Sequence, residues 1–110
     1  MTARFCMRDN ILYAVISGEI DHHSIKPIRD ETDVQILKNS PKGLVIDFKN
    51  ITFMDSSGIG FIMGRYKLIQ NITIVNANAN IKKIMLLSGI GRIATINWLE
   101  LVILEKWNKS

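Results

Sequence analysis

The chain reads as an α/β domain: a mixed, mostly parallel sheet of four to five strands with about four helices packed on it. Three observations point there. Short runs rich in β-branched residues alternate with segments of helical spacing, the pattern of strand–helix–strand units. The first two runs are separated only by a turn, so the sheet opens with an antiparallel hairpin before the crossovers begin. The 110 residues are 47% hydrophobic, enough to fill one core without metal or disulfide, so residues 1–110 are expected to form a single domain.

Each element has its own reason. Residues 4–8 and 11–17 ("ILYAVIS") read as strands joined at Asp9–Asn10, a turn-forming pair. Gly18 is expected to close this hairpin, with "EIDHHS" as a polar loop. Ile25, Ile28, Ile36 and Leu37 share one face of a helix ending near Asn39, and Pro27 fits its first turn, where a missing N–H is harmless. "SPKG" breaks the chain before "LVIDF", a short apolar run read as a buried central strand. Ile59, Ile62, Met63, Tyr66 and Ile69 recur at spacings of three and four, which predicts an amphipathic helix over 57–70.

Gly60 and Gly64 stand one turn apart in that helix. Each costs a helix about 1 kcal/mol relative to alanine, which predicts a close approach of helix to sheet. "ITIVNA" is the next strand, reached after Gln70 by an unusually short connector. "NIKKIMLLSG" follows as a short helix with Asn80 as N-cap and Gly89 just past its end. "RIATI" is expected as an edge strand, and "NWLELVILEKWNK" as a closing amphipathic helix with Leu99, Val102, Ile103 and Trp107 turned inward.

Charge and cysteine content exclude several functions. The net charge of +4 comes from cations scattered along the chain, with only Lys82–Lys83 adjacent, so the clustered footprint of a nucleic-acid binder is missing. A lone cysteine, Cys6, allows no intrachain disulfide and points to a reducing compartment. "MTARFCMRDN" lacks the apolar stretch of a signal peptide, and no apolar run nears the roughly 20 residues of a membrane span. A soluble, cytoplasmic protein with no membrane partner is expected.

The stretch "FMDSSGIGFIMGRYK", residues 53–67, carries the functional question. Asp55 or Ser56 suits the cap of the following helix. A serine nucleophile elbow needs glycine two residues before the serine, and Met54 or Asp55 stands there instead. The only histidines, His22 and His23, adjoin the acid that would have to orient them, Asp21, a poor geometry for a triad. No GxxxxGK[ST] loop is present, and adjacent histidines diverge, so neither an enzyme nor a metal or cofactor site is expected. The remaining chemistry is a phosphoacceptor: a serine at a strand-to-helix turn is exposed, and the N–H groups of Gly58, Ile59 and Gly60 favour an added phosphate of about −1.5 to −2 charges. Physical chemistry permits that switch without selecting it.

The segments "GEIDHH" (18–23), "VIDFKNITFMDSSGIGFIMGRYK" (45–67) and "LLSGIGRI" (86–93) resemble the anti-sigma factor antagonists of spore-forming bacteria, within the STAS domain family. Among them the pattern is most like antagonists that control a forespore-specific sigma factor. The resemblance implies a cycle. An unphosphorylated antagonist binds an anti-sigma factor that is also a serine kinase, and so frees a sigma factor. The kinase, using ATP, phosphorylates the first serine of the motif, here Ser56, which switches binding off until a serine phosphatase restores the active form. By the same resemblance Glu19, Asp21, Asp55, Ser57, Gly58 and Gly60 belong to the partner-binding surface, with the loop of Glu19 and Asp21 beside the Ser56 turn. A STAS module serving a stress-response or transporter-regulating partner is the alternative.

Overall fold

A computed structural model describes residues 1–96. Five strands and three α-helices follow in the order β1 (Thr2–Arg8), β2 (Ile11–Ile20), α1 (Ile25–Asn39), β3 (Gly43–Met54), α2 (Ser56–Tyr66), β4 (Ile72–Val75), α3 (Ala79–Leu87) and β5 (Thr95–Ile96), with a 3-10 turn at Ile90–Arg92. The predicted closing helix lies outside the described residues. Among the described residues no helix is long and apolar enough to cross a membrane.

The strands lie in chain order, β1-β2-β3-β4-β5. β1 pairs antiparallel with β2, and every later pairing is parallel, which is the mixed, mostly parallel sheet expected. Each crossover moves one strand in the same direction across the sheet. Since such connections are right-handed, α1, α2 and α3 all fall on one face. The burial follows. Leu12, Leu44 and Ile72 form one cross-strand row, Ala14, Ile46, Ile74 and Ile96 the next, and all are buried beneath the helices. Tyr13, Val15, Val45 and Thr73, on the opposite face, are half-buried.

Several elements run differently from their sequence pattern. β2 does not stop at Gly18 but passes through it, with register shifts between Val15 and Ser17 and between Gly18 and Glu19. Gly18 sits at φ 112°, a backbone conformation that a side chain disfavours, and this bulge carries the strand on to Ile20. β3 likewise continues far beyond the predicted "LVIDF", to Met54. Past Asp47 it has lost its β4 neighbour and pairs with the end of β2 alone, so a two-stranded extension projects from the sheet. Ser56 stands at its tip.

Helix α1 buries Ile25, Ile28, Thr32 and Ile36, whereas Leu37 is 70% exposed, because one residue of helix turns about 100° away from Ile36. In α2 the inward stripe is Gly58, Phe61, Ile62 and Arg65. The predicted face was rotated: Ile62 is inward, Ile59 and Tyr66 are half-buried, and Met63 is 53% exposed. α2 also ends early, at Tyr66, which leaves an ordinary connector over 67–71. No glycine is needed there. The Arg65 carbonyl accepts from the N–H groups of Leu68 and Ile69, and the Gln70 side chain donates to the Tyr66 carbonyl.

Gly60 and Gly64 do not bring α2 close to the sheet, since a Cβ added at either has no protein atom within 4 Å. The crowded position is Gly58, where an added Cβ would collide with Met54. The N-cap of α3 is Asn78, whose side chain accepts from the Ile81 N–H at 2.9 Å, two residues before the expected Asn80. Gly89, at φ 82°, lies past the helix end as expected. Of "RIATI" only Thr95–Ile96 is strand, with the 3-10 turn taking its start.

Candidate functional site

Two turns meet at the tip of the β2–β3 extension. Glu19 pairs with Phe53 and Ile20 with Met54, so the chain leaving β2 and the chain leaving β3 enter their helices side by side. The Asp55 N–H donates to the Ile20 carbonyl at 3.0 Å and ties the turns together.

The first turn is organised by Asp21. Its Oδ1 accepts from the Ser24 hydroxyl at 2.9 Å, the Ser24 N–H at 2.9 Å and the His23 N–H at 3.0 Å. The Ser24 hydroxyl also reaches the Glu19 carbonyl, at 3.0 Å, and the Asp21 carbonyl accepts from the Ile25 N–H to start α1. The bond from Ser24, above all, holds the Asp21 carboxyl below its ordinary value of 3.8.

The second turn repeats the device. Asp55 is the N-cap of α2, in extended backbone, and its Oδ1 accepts the Ser57 N–H at 2.8 Å together with the Ser57 hydroxyl. The hydroxyl bond is the main cause of a lowered Asp55 pKa. Asp21 raises it slightly, a sign that the two carboxylates sense each other across the turns. The other oxygen, Oδ2, lies 3.7 Å from His22 Nε2. The Ser56 side chain is exposed, and among the described residues its hydroxyl makes no hydrogen bond. Ser57 points toward α1, where it lines a cleft with His22, Ile25, Arg29, Gly60 and Phe61.

The residues singled out from sequence thus come together: Asp21, Asp55, Ser56 and Ser57 share one tip, Glu19 is exposed on the neighbouring strand end, and Gly60 is exposed on α2. Gly58 is the exception. It is buried, and its small size serves packing on Met54 and Ile20 within the chain. His22, which sequence reasoning set aside as a triad or metal residue, is exposed and faces Asp55. Phe53, 51% exposed, adds an apolar group beside Glu19. Among the described residues no cluster of histidine, cysteine, aspartate or glutamate is arranged to hold a metal ion.

Sequence reasoning missed Arg65 and Asp33. Arg65 lies on the buried face of α2, 5% exposed, with Nε 2.6 Å from Asp33 Oδ1 on α1 and Nη2 donating to Oδ2 at 3.3 Å. The shorter contact is a charge approach rather than an aligned hydrogen bond. Burial pushes the guanidinium pKa down from its ordinary value, and the Asp33 carboxylate opposes that. A cation four residues after Phe61, in register with an apolar stripe, was the available signal.

Comparison with known proteins agrees with this architecture. An anti-sigma F factor antagonist from Paenibacillus polymyxa is 36% identical over 90 residues, 78% of this chain and 77% of that protein. The solved structure of the anti-sigma factor antagonist SpoIIAA in its unphosphorylated form shares the fold with a TM-score of 0.74 at 23% identity, over 97% of both chains. The phosphorylated form of the Bacillus cell fate determinant SpoIIAA gives 0.67 at 23% identity, over 94% of this chain and 98% of that one. The STAS domain family matches residues 6–101, a span that takes in β2 to β5, the paired turns and helices α1, α2 and α3, and the chain belongs to that family.

Proposed function

We propose that this protein is an anti-sigma factor antagonist working by partner switching, with Ser56 as its phosphoacceptor. Unphosphorylated, it binds an anti-sigma factor that is also a serine kinase, and the sigma factor is freed. Phosphorylation of Ser56 from ATP ends the binding, and a serine phosphatase reverses it. The protein is then a regulatory substrate rather than an enzyme, acting in the cytoplasm, where its kinase finds ATP.

The observation that carries this reading is the unequal state of two adjacent hydroxyls. Ser57 spends its hydroxyl on Asp55, while Ser56 presents an uncommitted one at the first residue of α2. A kinase needs a hydroxyl it can reach without dismantling the helix cap. The first turn of α2 also favours negative charge, so the fold tolerates the product. The surrounding surface suits protein docking: Asp55 and Glu19 supply acids that can steer a basic partner, and Phe53 and Met63 supply apolar area. A phosphate on Ser56 adds like charge to that surface and disfavours docking over it.

The test is phosphosite mapping by mass spectrometry after incubation with the cognate kinase and ATP. Phosphate is expected on Ser56, and Ser56→Ala is expected to fold and bind the anti-sigma factor while taking up none. Kinase-dependent phosphate on Ser57 would overturn the assignment.

A further inference from the structure

Helices α1 and α2 meet differently at their two ends. Near Ser56 they stand apart around a cleft of about 310 Å³, lined by His22, Ile25, Arg29, Ser57, Gly60 and Phe61. Toward the other end, the buried Arg65 grips Asp33 through Nε and Nη2. Arg65 also donates from Nη1 to the Phe61 carbonyl at 3.3 Å and lies over the Phe61 ring at 5.2 Å.

We propose that Arg65 is a positioning residue for Ser56: clamped between Asp33 of α1 and Phe61 of α2, its guanidinium fixes the angle of α2 and hence the place where the acceptor hydroxyl is presented. This rests on the reading of Ser56 as the acceptor. The chain of contacts is continuous, because Phe61, held by Arg65, forms a wall of the cleft that Ser57 and Gly60 also line.

Geometry explains why a charge stands where an apolar side chain would pack. A buried ion pair adds little net stability over apolar residues of the same size, since desolvation consumes the attraction, but it holds one orientation closely. The planar guanidinium donates from Nη2 to one carboxylate oxygen while Nε lies against the other as a charge contact, a two-point contact that the single ammonium of a lysine cannot reproduce. The lever is long: α2 has 11 residues. Ser56 lies nine residues from Arg65, about 13.5 Å at 1.5 Å per residue, so a tilt of roughly 10° about Arg65 moves Ser56 by roughly 2 Å. A misplacement of only about 1 Å in a reacting group can cost on the order of a hundredfold in rate.

The test uses the full chain with Arg65→Met/Asp33→Leu, which leaves no lone buried charge, and with Arg65→Lys as a second variant should the first fail to fold. Two readouts are taken on folded protein: amide shifts and hydrogen exchange by NMR, and steady-state phosphorylation by the cognate kinase. In the double variant the Ser56–Gly60 amides are expected to shift and to exchange at least tenfold faster, while the β2 and β3 amides stay as they were. The kcat of phosphorylation is expected to fall at least tenfold with little change in KM, and Arg65→Lys is expected to restore neither. Unchanged Ser56–Gly60 amides together with wild-type kcat in either folded variant overturn the proposal. If the parent chain takes up no phosphate on Ser56 but the amides move as expected, the acceptor assignment falls and with it the positioning of an acceptor, and Arg65 is left as a structural clamp on the angle of α2.

Discussion

The turns entering α1 and α2 are built alike and differ in one group. Each has an aspartate whose Oδ1 gathers a serine hydroxyl and at least one backbone N–H: Asp21 with Ser24 and His23, Asp55 with Ser57. In the first turn the serine is committed, to the aspartate and to the Glu19 carbonyl. In the second an additional serine, Ser56, sits between cap and partner with its hydroxyl unspent. The contrast teaches that capping chemistry by itself makes a stable helix start, and that a modifiable site needs one hydroxyl more than the cap consumes.

The sharpest way to break the comparison is to place charge at the unspent position. Ser56→Asp is expected to weaken anti-sigma binding more than tenfold, about 1.4 kcal/mol, while the fold is kept, because an acid at the first helical residue complements the dipole. Unchanged affinity by titration calorimetry would mean that charge is not the basis of release.

A smaller effect probes what lies behind the second turn. Gly58→Ala gains about 1 kcal/mol in helix propensity but forces Met54 aside in a packed core, at about 1–3 kcal/mol, for a net loss on the order of 1 kcal/mol. Urea unfolding checks this, and a stabilised variant would show that Met54 swings away freely.

The smallest effect sharpens the likeness of the two aspartate-centred turns. The folded-state pKa of Asp55 is lowered, so its contribution is fully present above the ordinary carboxylate value of 3.8 and is lost as pH falls through the lower folded-state value. Ser57→Ala removes the main cause and is expected to move the Asp55 titration upward toward 3.8, with the acid limb of stability following it. Ser24→Ala is expected to do the same to Asp21. Carboxyl-carbon NMR titration reads both, and an unmoved Asp55 would deny the hydroxyl its role.

Periodicity made most of the scaffold legible. The hairpin, the three helices, the buried central strand and the mixed sheet all follow from β-branched runs, helical spacing and turn residues. Local signals went wrong where a neighbour decided the outcome. Gly18 looked like a stop and is a bulge, because β3 offers a partner on its far side. Gly60 and Gly64 looked like contacts to the sheet, and the crowded glycine is Gly58. The inward face of α2 was drawn through Met63, since alternative apolar stripes on one helix differ only by what packs against them.

At the site, sequence alone placed Asp55, Ser56 and Ser57 on one strand-to-helix turn, because capping is settled by residues two or three apart, whereas Glu19 and Asp21 were set beside it only by the family resemblance. It could not say which hydroxyl the cap consumes, nor that His22 faces Asp55 or that Arg65 reaches Asp33, 32 residues away in the chain. Those pairings depend on β2 and β3 running on together past the sheet and on α1 lying beside α2. Contacts between distant segments exist only once the backbone has brought them together, so only the tertiary structure decided them.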